Sequence, residues 1–156
     1  MAKALHGVQC RVFIKPGDDA ATVKAAFTRF FPFPLEENNM ALVTERVQGF
    51  DATIEVLKVG LDKQRLVRLF FNNFISLLSD DDLKAIVDQK ESRLDEDGFF
   101  YMRLDKKAWL QGRAKLTDSG DCFHFTFEIA AYPKKRDVML ATVGKIFNRQ
   151  PREQML

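Results

Sequence analysis

The 156-residue sequence has only two cysteines and a single tryptophan, and it has no long apolar run. Two thiols cannot build the disulfide framework of a small secreted domain, so the fold must depend on a hydrophobic core. No run approaches the roughly 18 consecutive apolar residues of a membrane span, and no basic-then-apolar leader opens the sequence. The expectation is a cytoplasmic globular protein in a reducing compartment.

The sequence also lacks the motifs of common enzymes, namely a Walker loop, Gly-x-Gly-x-x-Gly and Gly-x-Ser-x-Gly. The acidic clusters at 80–82 and 95–97 do not follow the calcium-loop pattern, and Cys122 with His124 makes only half of a zinc site. We therefore expect no catalytic residues, no metal and no other cofactor. One further hypothesis, a magnesium-dependent nuclease acting through the acidic clusters, predicts cleavage that a chelator abolishes.

The sequence is rich in apolar side chains, with 46% hydrophobic and 12% aromatic residues, and its length suits one domain. We expect that domain over 1–150, followed by a short tail at 151–156. Apolar periodicities of two and of 3.6 residues predict strands and helices respectively. The strands are expected at 8–15, twice within 41–59, and near 100–105, 112–116 and 123–129. The helices are expected at 19–30, 63–77, 79–89, 107–110 and 134–148.

Hairpins of strands mixed with helices indicate an α+β fold, with a largely antiparallel sheet and helices packed on one face. The two cysteines lie on opposite phases of their strands. Cys10 belongs to the apolar phase of the first strand, whereas Cys122 falls on the phase opposite to that of Phe123 and Phe125. Side chains that leave opposite faces of a sheet cannot form a disulfide. Both cysteines are thus expected to be ordinary strand residues.

Charge is distributed unevenly along the chain, although the net charge is only +2. The segment 61–98 is acidic, whereas 99–156 is basic and includes the only tryptophan. Cations that meet phosphates release counterions, and aromatic rings stack on unpaired bases, so the basic segment predicts an RNA interface. The candidate RNA-binding residues are Arg103, Lys106, Lys107, Trp109, Arg113, Lys115, Lys134, Lys135 and Arg136. The secondary candidates are Arg65, Arg68 and Tyr101.

Two of these assignments have alternatives. Trp109 can instead anchor a turn in the core, and Arg65 and Arg68 can lie on the solvated face of a helix. The polar phases of the strands also suggest an open sheet face formed by Arg11, Phe13, Lys15, Tyr101, Arg103 and His124, although no segment matches the RNA-recognition-motif signature. The aromatic stretch at 30–33 either closes one end of the core or is an exposed contact patch.

Residues 99–116 contain Tyr101, Arg103, Asp105, Lys106 and Gly112, followed by Asp121 and by Ala-Tyr-Pro-Lys-Lys-Arg at 131–136. In this pattern the chain resembles an archaeal family of small conserved proteins described as predicted RNA-binding proteins or predicted exosome subunits. The resemblance implies a fold like that of large-subunit ribosomal protein number five. It also implies RNA association linked to RNA processing or translation, without catalysis.

The leading hypothesis is therefore a non-catalytic RNA-binding protein that grips phosphate through its basic C-terminal segment. The alternative is a protein-interaction or assembly subunit without direct RNA binding, which associates through a sheet edge or the aromatic stretch. The expected partners are RNA and a protein complex, either one for RNA processing or one associated with the ribosome, with no membrane. The oligomeric state is left open, with a dimer as one alternative.

Overall fold

The computed structural model describes residues 3–38, 43–48 and 53–148. The strands are β1 Leu5–Ile14, β2 Val43–Gln48, β3 Thr53–Leu61, β4 Phe99–Asp105 and β5 Cys122–Ile129. The helices are α1 Ala20–Thr28, α2 Gln64–Leu77, α3 Asp80–Asp88, α4 Lys90–Arg93, α5 Lys106–Leu110 and α6 Arg136–Ile146. A short 3-10 helix covers Glu36–Asn38.

The five strands form one antiparallel sheet in the order β2-β3-β1-β5-β4. The central strand β1 pairs with β3 on one side and β5 on the other. β4 and β1 both run antiparallel to β5, so these two strands point in the same direction. The predicted α+β class with a largely antiparallel sheet is confirmed. The expected likeness to ribosomal protein number five stays a prediction.

The helices cover one face of this sheet. Phe27 of α1 stacks on Phe123 of β5, and Phe74 of α2 lies 4.8 Å from Phe125, centroid to centroid. Phe147, directly after α6, contacts Phe127 edge to face. All three contacts use one phase of β5, and burying these aromatic rings supplies much of the hydrophobic stabilisation. The other phase of the sheet faces away from the helices.

Local signals in the sequence explain several element boundaries. The Ser79 hydroxyl accepts a hydrogen bond from the amide of Asp82 and caps α3, as predicted. Phe30 and Phe31 are buried, so the aromatic stretch closes the end of the core and does not form an exposed contact patch. The prediction that Asp62 caps α2 is wrong. The N-cap is Lys63, which makes no side-chain capping bond. The stripe residue Leu69 lies exposed on α2.

The predicted strand at 112–116 is wrong. Only Leu116 pairs with Leu104, in an isolated bridge along the outer edge of β4. The reason is topological: β5 inserts between β1 and β4, so the chain after α5 passes outside β4 to reach β5. The turn at 118–121 therefore does not join two paired strands, and the predicted hairpin is absent from this described segment.

Other expected boundaries shift or lie outside the described residues. The last helix begins at Arg136 with Lys135 as its N-cap, so Pro133 is not in its first turn. The expected break at Gln48-Gly49 and the tail at 151–156 extend beyond the described part of the chain. Within that part, no helix is both long and apolar enough to cross a membrane.

Candidate nucleic-acid interface

A row of basic side chains crosses the sheet face that the helices leave uncovered. The strand register pairs Arg11 with Lys58 of β3 and with His124 of β5, and it pairs His124 with Arg103 of β4. Neighbouring strands lie about 4.8 Å apart, so the four positions span about 14 Å. We call Lys58, Arg11, His124 and Arg103 the cation row.

Strand alternation explains why these side chains share one face. Arg11 lies between the buried residues Cys10 and Val12, and His124 lies between Phe123 and Phe125. Successive side chains of a strand point to opposite faces, so burying the apolar phase against the helices aims the polar phase outward. Cys10 therefore faces the core, on the side opposite Cys122, and both thiols are free.

Two aromatic rings flank the cation row. Phe13 lies two residues beyond Arg11 on β1, and its ring meets the His124 imidazole edge to face with 5.8 Å between centroids. Tyr101 lies two residues before Arg103 on β4 and is 47% exposed. Because β1 and β4 point in the same direction, the two rings lie on opposite sides of the row. The uncovered face thus combines cations with aromatic planes.

The Tyr101 hydroxyl donates a hydrogen bond to Asp95 Oδ2 at 2.8 Å. This bond to a carboxylate raises the pKa of Tyr101. Asp95 also accepts bonds from the amides of Asp97 and Phe99. Burial opposes these bonds, but together they hold the pKa of Asp95 below its ordinary range. The turn before β4 therefore anchors the hydroxyl end of the Tyr101 side chain.

The central residue of the row, His124, is neutral at neutral pH. Burial, followed by the positive charges of Arg11, Arg103 and Lys106, lowers its pKa to about 4. The positive charges that contribute to this low pKa also favour a bound anion at the same place.

Cys122 Sγ lies 3.4 Å from His124 Nε2. Burial raises the pKa of the Cys122 thiol, so the thiolate that nucleophilic catalysis needs is disfavoured. The neutral thiol beside a neutral imidazole fits the prediction of ordinary strand residues.

Among the described residues, two of the row's three cations have no carboxylate partner. Lys58 pairs with Glu45 at 2.9 Å. Among the described residues, no ion pair involves Arg11 or Arg103, and Arg103 Nη1 donates only to the Asp118 carbonyl. Exposed guanidinium groups without a competing carboxylate are free to bind phosphate oxygens in a bidentate manner. Arg11 and Arg103 are therefore the best-placed cations of the row.

A polar cleft of about 230 Å³ opens at the β4 edge of this face. Its walls include Tyr101, Arg103 and Arg93, with Thr117 and Asp118 from the segment that passes outside β4. Arg93 Nη1 donates to the Tyr101 carbonyl at 3.2 Å, which orders one wall. The cleft offers both hydrogen-bond donors and acceptors next to the Tyr101 ring.

The structure removes Lys106 from the predicted RNA-binding set. Its side chain is only 2% exposed, and Nζ lies 2.8 Å from Asp121 and 3.1 Å from Asp18. Nζ also donates to the Phe13 carbonyl at 2.8 Å. A buried ammonium with three oxygen partners has no donor left for phosphate. Lys106 instead joins β1, the turn before α1 and the start of β5.

Trp109 is also a core residue, as the alternative in the sequence analysis expects. The indole Nε1 donates to the Ala26 carbonyl at 2.7 Å, and one face of the ring stacks on Phe30 at 4.2 Å. The Arg29 guanidinium lies 4.8 Å from the ring centroid. With 5% exposure, Trp109 has no free face for a nucleobase.

The remaining predicted cations are exposed but fall into separate groups. Lys107, Arg113 and Lys115 lie on and after α5, and Lys134, Lys135 and Arg136 lie at the start of α6. Arg136 donates to the carbonyls of Leu94 and Glu91, which ties it to the end of α4. Arg65 and Arg68 lie on the exposed side of α2, across the sheet from the cation row; Arg65 donates to Asn38 Oδ1.

Of the candidates in the basic C-terminal segment, the structure thus places Arg103 in the cation row and Tyr101 beside it. Sequence reasoning missed Lys58, because nothing local shows which strand lies next to β1. Lys58 can be identified only from the β1–β3 register, which pairs it with Arg11. The described residues contain no group of three or more His, Cys, Asp or Glu placed to hold a metal ion.

Comparison with known sequences gives one family match. The model of a family described as RNA binding matches residues 7–129. The protein named RNA-binding protein PAB1135 from Pyrococcus abyssi is 28% identical over 139 residues, which cover 88% of this chain and 90% of that protein. A second archaeal relative, from Methanocaldococcus jannaschii, is 24% identical over 136 residues, covering 85% of this chain and 91% of that protein.

Solved structures show the same fold. Protein AF2318 from Archaeoglobus fulgidus superposes with a TM-score of 0.81 at 24% identity, covering 91% of this chain and 99% of that one. The DUF54 protein Mth689 from Methanothermobacter thermautotrophicus superposes with a TM-score of 0.75 at 26% identity, covering 94% of this chain and all of that one. The fold is therefore shared among archaeal DUF54 proteins.

Proposed function

From the premise that this chain belongs to the RNA-binding family whose model spans residues 7–129, we propose that it is a non-catalytic RNA-binding protein. Its interface is the uncovered face of the sheet, and the cation row holds the phosphate backbone. The proposal differs from the sequence hypothesis in location: it moves the interface from the C-terminal segment to β1, β3, β4 and β5.

The cation row is the observation that carries this proposal. Arg11 and Arg103 lie on either side of His124 and have no carboxylate partner among the described residues, while burial and positive neighbours keep His124 neutral. An anionic backbone laid along the row relieves the repulsion between the two guanidinium groups. Phosphates are the same in every RNA sequence, so we expect contacts with them to supply most of the affinity and little sequence selectivity.

A salt titration of RNA binding tests the proposal. Filter binding to a mixed-sequence RNA is measured over a range of salt concentrations, and we expect a steep fall in affinity as salt rises. The double variant Arg11→Glu/Arg103→Glu is expected to weaken binding by at least about tenfold and to flatten the salt dependence.

Arg65→Glu/Arg68→Glu is the matched control, since it makes the same change in net charge on the opposite side of the molecule. We expect this variant to retain most of the affinity, apart from a small long-range effect that salt screens. Equal losses in the two double variants would show that only total charge matters, and absence of RNA binding at low salt would refute the function itself.

The exposed cations of the C-terminal segment form a second part of the proposed interface. Leu116 forms the isolated bridge at the edge of β4, and Thr117 lines the cleft beside Arg103. Side chains alternate at such a bridge, so Lys115 lies on the same side as Thr117. Lys107 and Arg113 lie close by in the chain. We expect these residues to extend the phosphate path beyond the cation row. Lys134 and Lys135 are the more distant members of the predicted set.

The cellular role implied by the resemblance is RNA processing by the exosome or a step of translation, in the cytoplasm. Charge complementarity to RNA supports either role equally. Co-purification of the chain with exosome subunits or with ribosomal particles, before and after RNase treatment, separates the two.

The alternative function is an assembly subunit that does not bind RNA directly. The observation that favours it is the edge strand β2, which pairs only with β3 among the described residues and so presents unpaired backbone groups. Light scattering after size exclusion tests it. A stable oligomer that survives the Arg11→Glu/Arg103→Glu change, together with absence of RNA binding, would support this alternative.

A further inference from the structure

We propose that the ligand of the uncovered sheet face is single-stranded RNA, with unpaired bases stacked on Phe13 and on Tyr101 while the backbone follows the cation row between them. This inference rests on the proposed RNA-binding function and specifies its substrate class. It assigns a binding role to two aromatic side chains.

The positions of the two rings relative to the row carry the inference. Each ring is two residues from a row arginine along its strand, which corresponds to about 7 Å, and the rings lie on opposite sides of the row. Phe13 and Tyr101 are also on strands separated by β5. A flexible single strand that passes Phe13, follows the row from Arg11 to Arg103 and then passes Tyr101 meets one aromatic plane before the cations and another after them.

Both rings are held in place before a ligand arrives. The Tyr101 hydroxyl is anchored by its hydrogen bond to Asp95, while the Phe13 ring is in T-shaped contact with His124 and has the Arg11 guanidinium over it, 5.7 Å from its centroid. Preorganised rings lose little conformational entropy on binding, so little of the stacking free energy is offset and most of it contributes to the affinity. Base–aromatic stacking tolerates any base, because every base has a π face.

A duplex does not fit this arrangement. In an A-form helix the base faces are stacked on one another, so neither ring has a partner there. The row is a single line of basic residues about 14 Å long, which matches one backbone segment. Polar residues, including Thr117 and Asp118, line the cleft beside Tyr101, where the exposed edge of an unpaired base can be hydrogen-bonded.

Fluorescence anisotropy with labelled RNA tests the inference. The probes are an unstructured oligonucleotide about ten nucleotides long and the blunt duplex formed with its complement, both at one salt concentration. We expect the single strand to bind at least about tenfold more tightly than the duplex. Phe13→Leu and Tyr101→Leu are each expected to weaken single-strand binding about tenfold, while the salt slope stays unchanged because no phosphate contact is lost.

Two control variants keep the test decisive. Tyr101→Phe retains the ring and removes only the bond to Asp95, so its affinity should remain within about threefold. Tyr132→Leu changes the only other tyrosine, which is fully exposed after β5, and should leave the affinity unchanged. Thermal unfolding of each variant checks folding, and rescue by Tyr101→Phe excludes a folding defect as the cause of the loss.

The outcomes separate this inference from the function on which it rests. Equal affinity for duplex and single strand, or full single-strand affinity in both leucine variants, would overturn the stacking inference and leave RNA binding through the cation row intact. Absence of binding to either probe at low salt would overturn the function as well.

Discussion

The ammonium of Lys106 lies 2.8 Å from the Asp121 carboxylate, in a site where the lysine is almost completely buried. Lys106 lies at the start of α5 and Asp121 lies directly before β5, so their ion pair joins the two ends of the segment that passes outside β4. Both residues belong to the sequence pattern that carries the family resemblance. That part of the pattern therefore maintains the fold and lies outside the proposed RNA interface.

Replacing Lys106 should destabilise the protein and leave its RNA affinity unchanged. Breaking a buried ion pair costs about 3–5 kcal/mol, and the partial exposure of Asp18 and Asp121 reduces our expectation for Lys106→Met to about 2–3 kcal/mol. Lys107→Met is the neighbouring exposed control, expected to change stability by less than about 0.5 kcal/mol. Urea unfolding measures both. Equal stability of the two variants would contradict the structural role of Lys106.

The ion pair between Lys106 and Asp121 should also be detectable through the pKa of Asp121. The hydrogen bond from Lys106 holds the pKa of Asp121 below its ordinary value of 3.8. A carboxyl group with a lowered folded-state pKa stabilises the fold above its unfolded pKa, and this contribution is lost as the pH falls through the folded value. In Lys106→Met we expect the pKa of Asp121 to rise toward the ordinary value. Carboxyl NMR shifts measure it, and an unchanged Asp121 pKa would show that Lys106 is not its main partner.

RNA binding should raise the pKa of His124, which is about 4 in the free protein. Phosphates on Arg11 and Arg103 offset the positive potential that contributes to the low value, so protonation becomes easier in the complex and affinity rises as the pH falls toward the pKa of bound His124. Imidazole NMR shifts with and without RNA measure the change. His124→Gln should abolish this part of the pH dependence, and an unchanged pKa in the complex would place the RNA elsewhere.

The low pKa of His124 should also make the stability of the free protein depend on pH. Its pKa is lower in the folded state than its ordinary value of 6.5. The unfolded chain therefore binds more protons between about pH 4 and 6.5, and stability contributed by neutral His124 is lost as the pH falls through that range. As the pH is lowered through that range, the free energy of unfolding should fall more steeply for the wild type than for His124→Gln. Parallel curves across that range would contradict the low pKa.

The fluorescence of Trp109 should not respond to RNA. The sequence has a single tryptophan, which is buried between Phe30 and Arg29. We expect a blue-shifted emission spectrum that is unchanged on saturation with RNA. Trp109→Phe should cost about 1–3 kcal/mol, because it removes the indole bond to the Ala26 carbonyl. Strong quenching of the Trp109 emission by RNA would show that Trp109 lies in the RNA interface.

Much of the fold follows from the sequence alone. Period-two alternation in β1, β4 and β5 and the apolar periodicity of α2 predicted those elements and the α+β class. The polar phases also indicated most of the cation row, because alternation fixes which residues of a strand share a face. The capping role of Ser79 needed no tertiary information, since a cap bonds within its own turn.

The tertiary structure alone decided which basic residues are available to a ligand. Lys106 and Lys107 are neighbours of the same type, yet one is buried beside two carboxylates and the other is exposed. The row itself required the strand order, because Lys58, Arg11, His124 and Arg103 come from four strands and meet only through long-range pairing. Local sequence fixes the direction of a side chain relative to its own strand, whereas its neighbours depend on which strands the whole chain brings together.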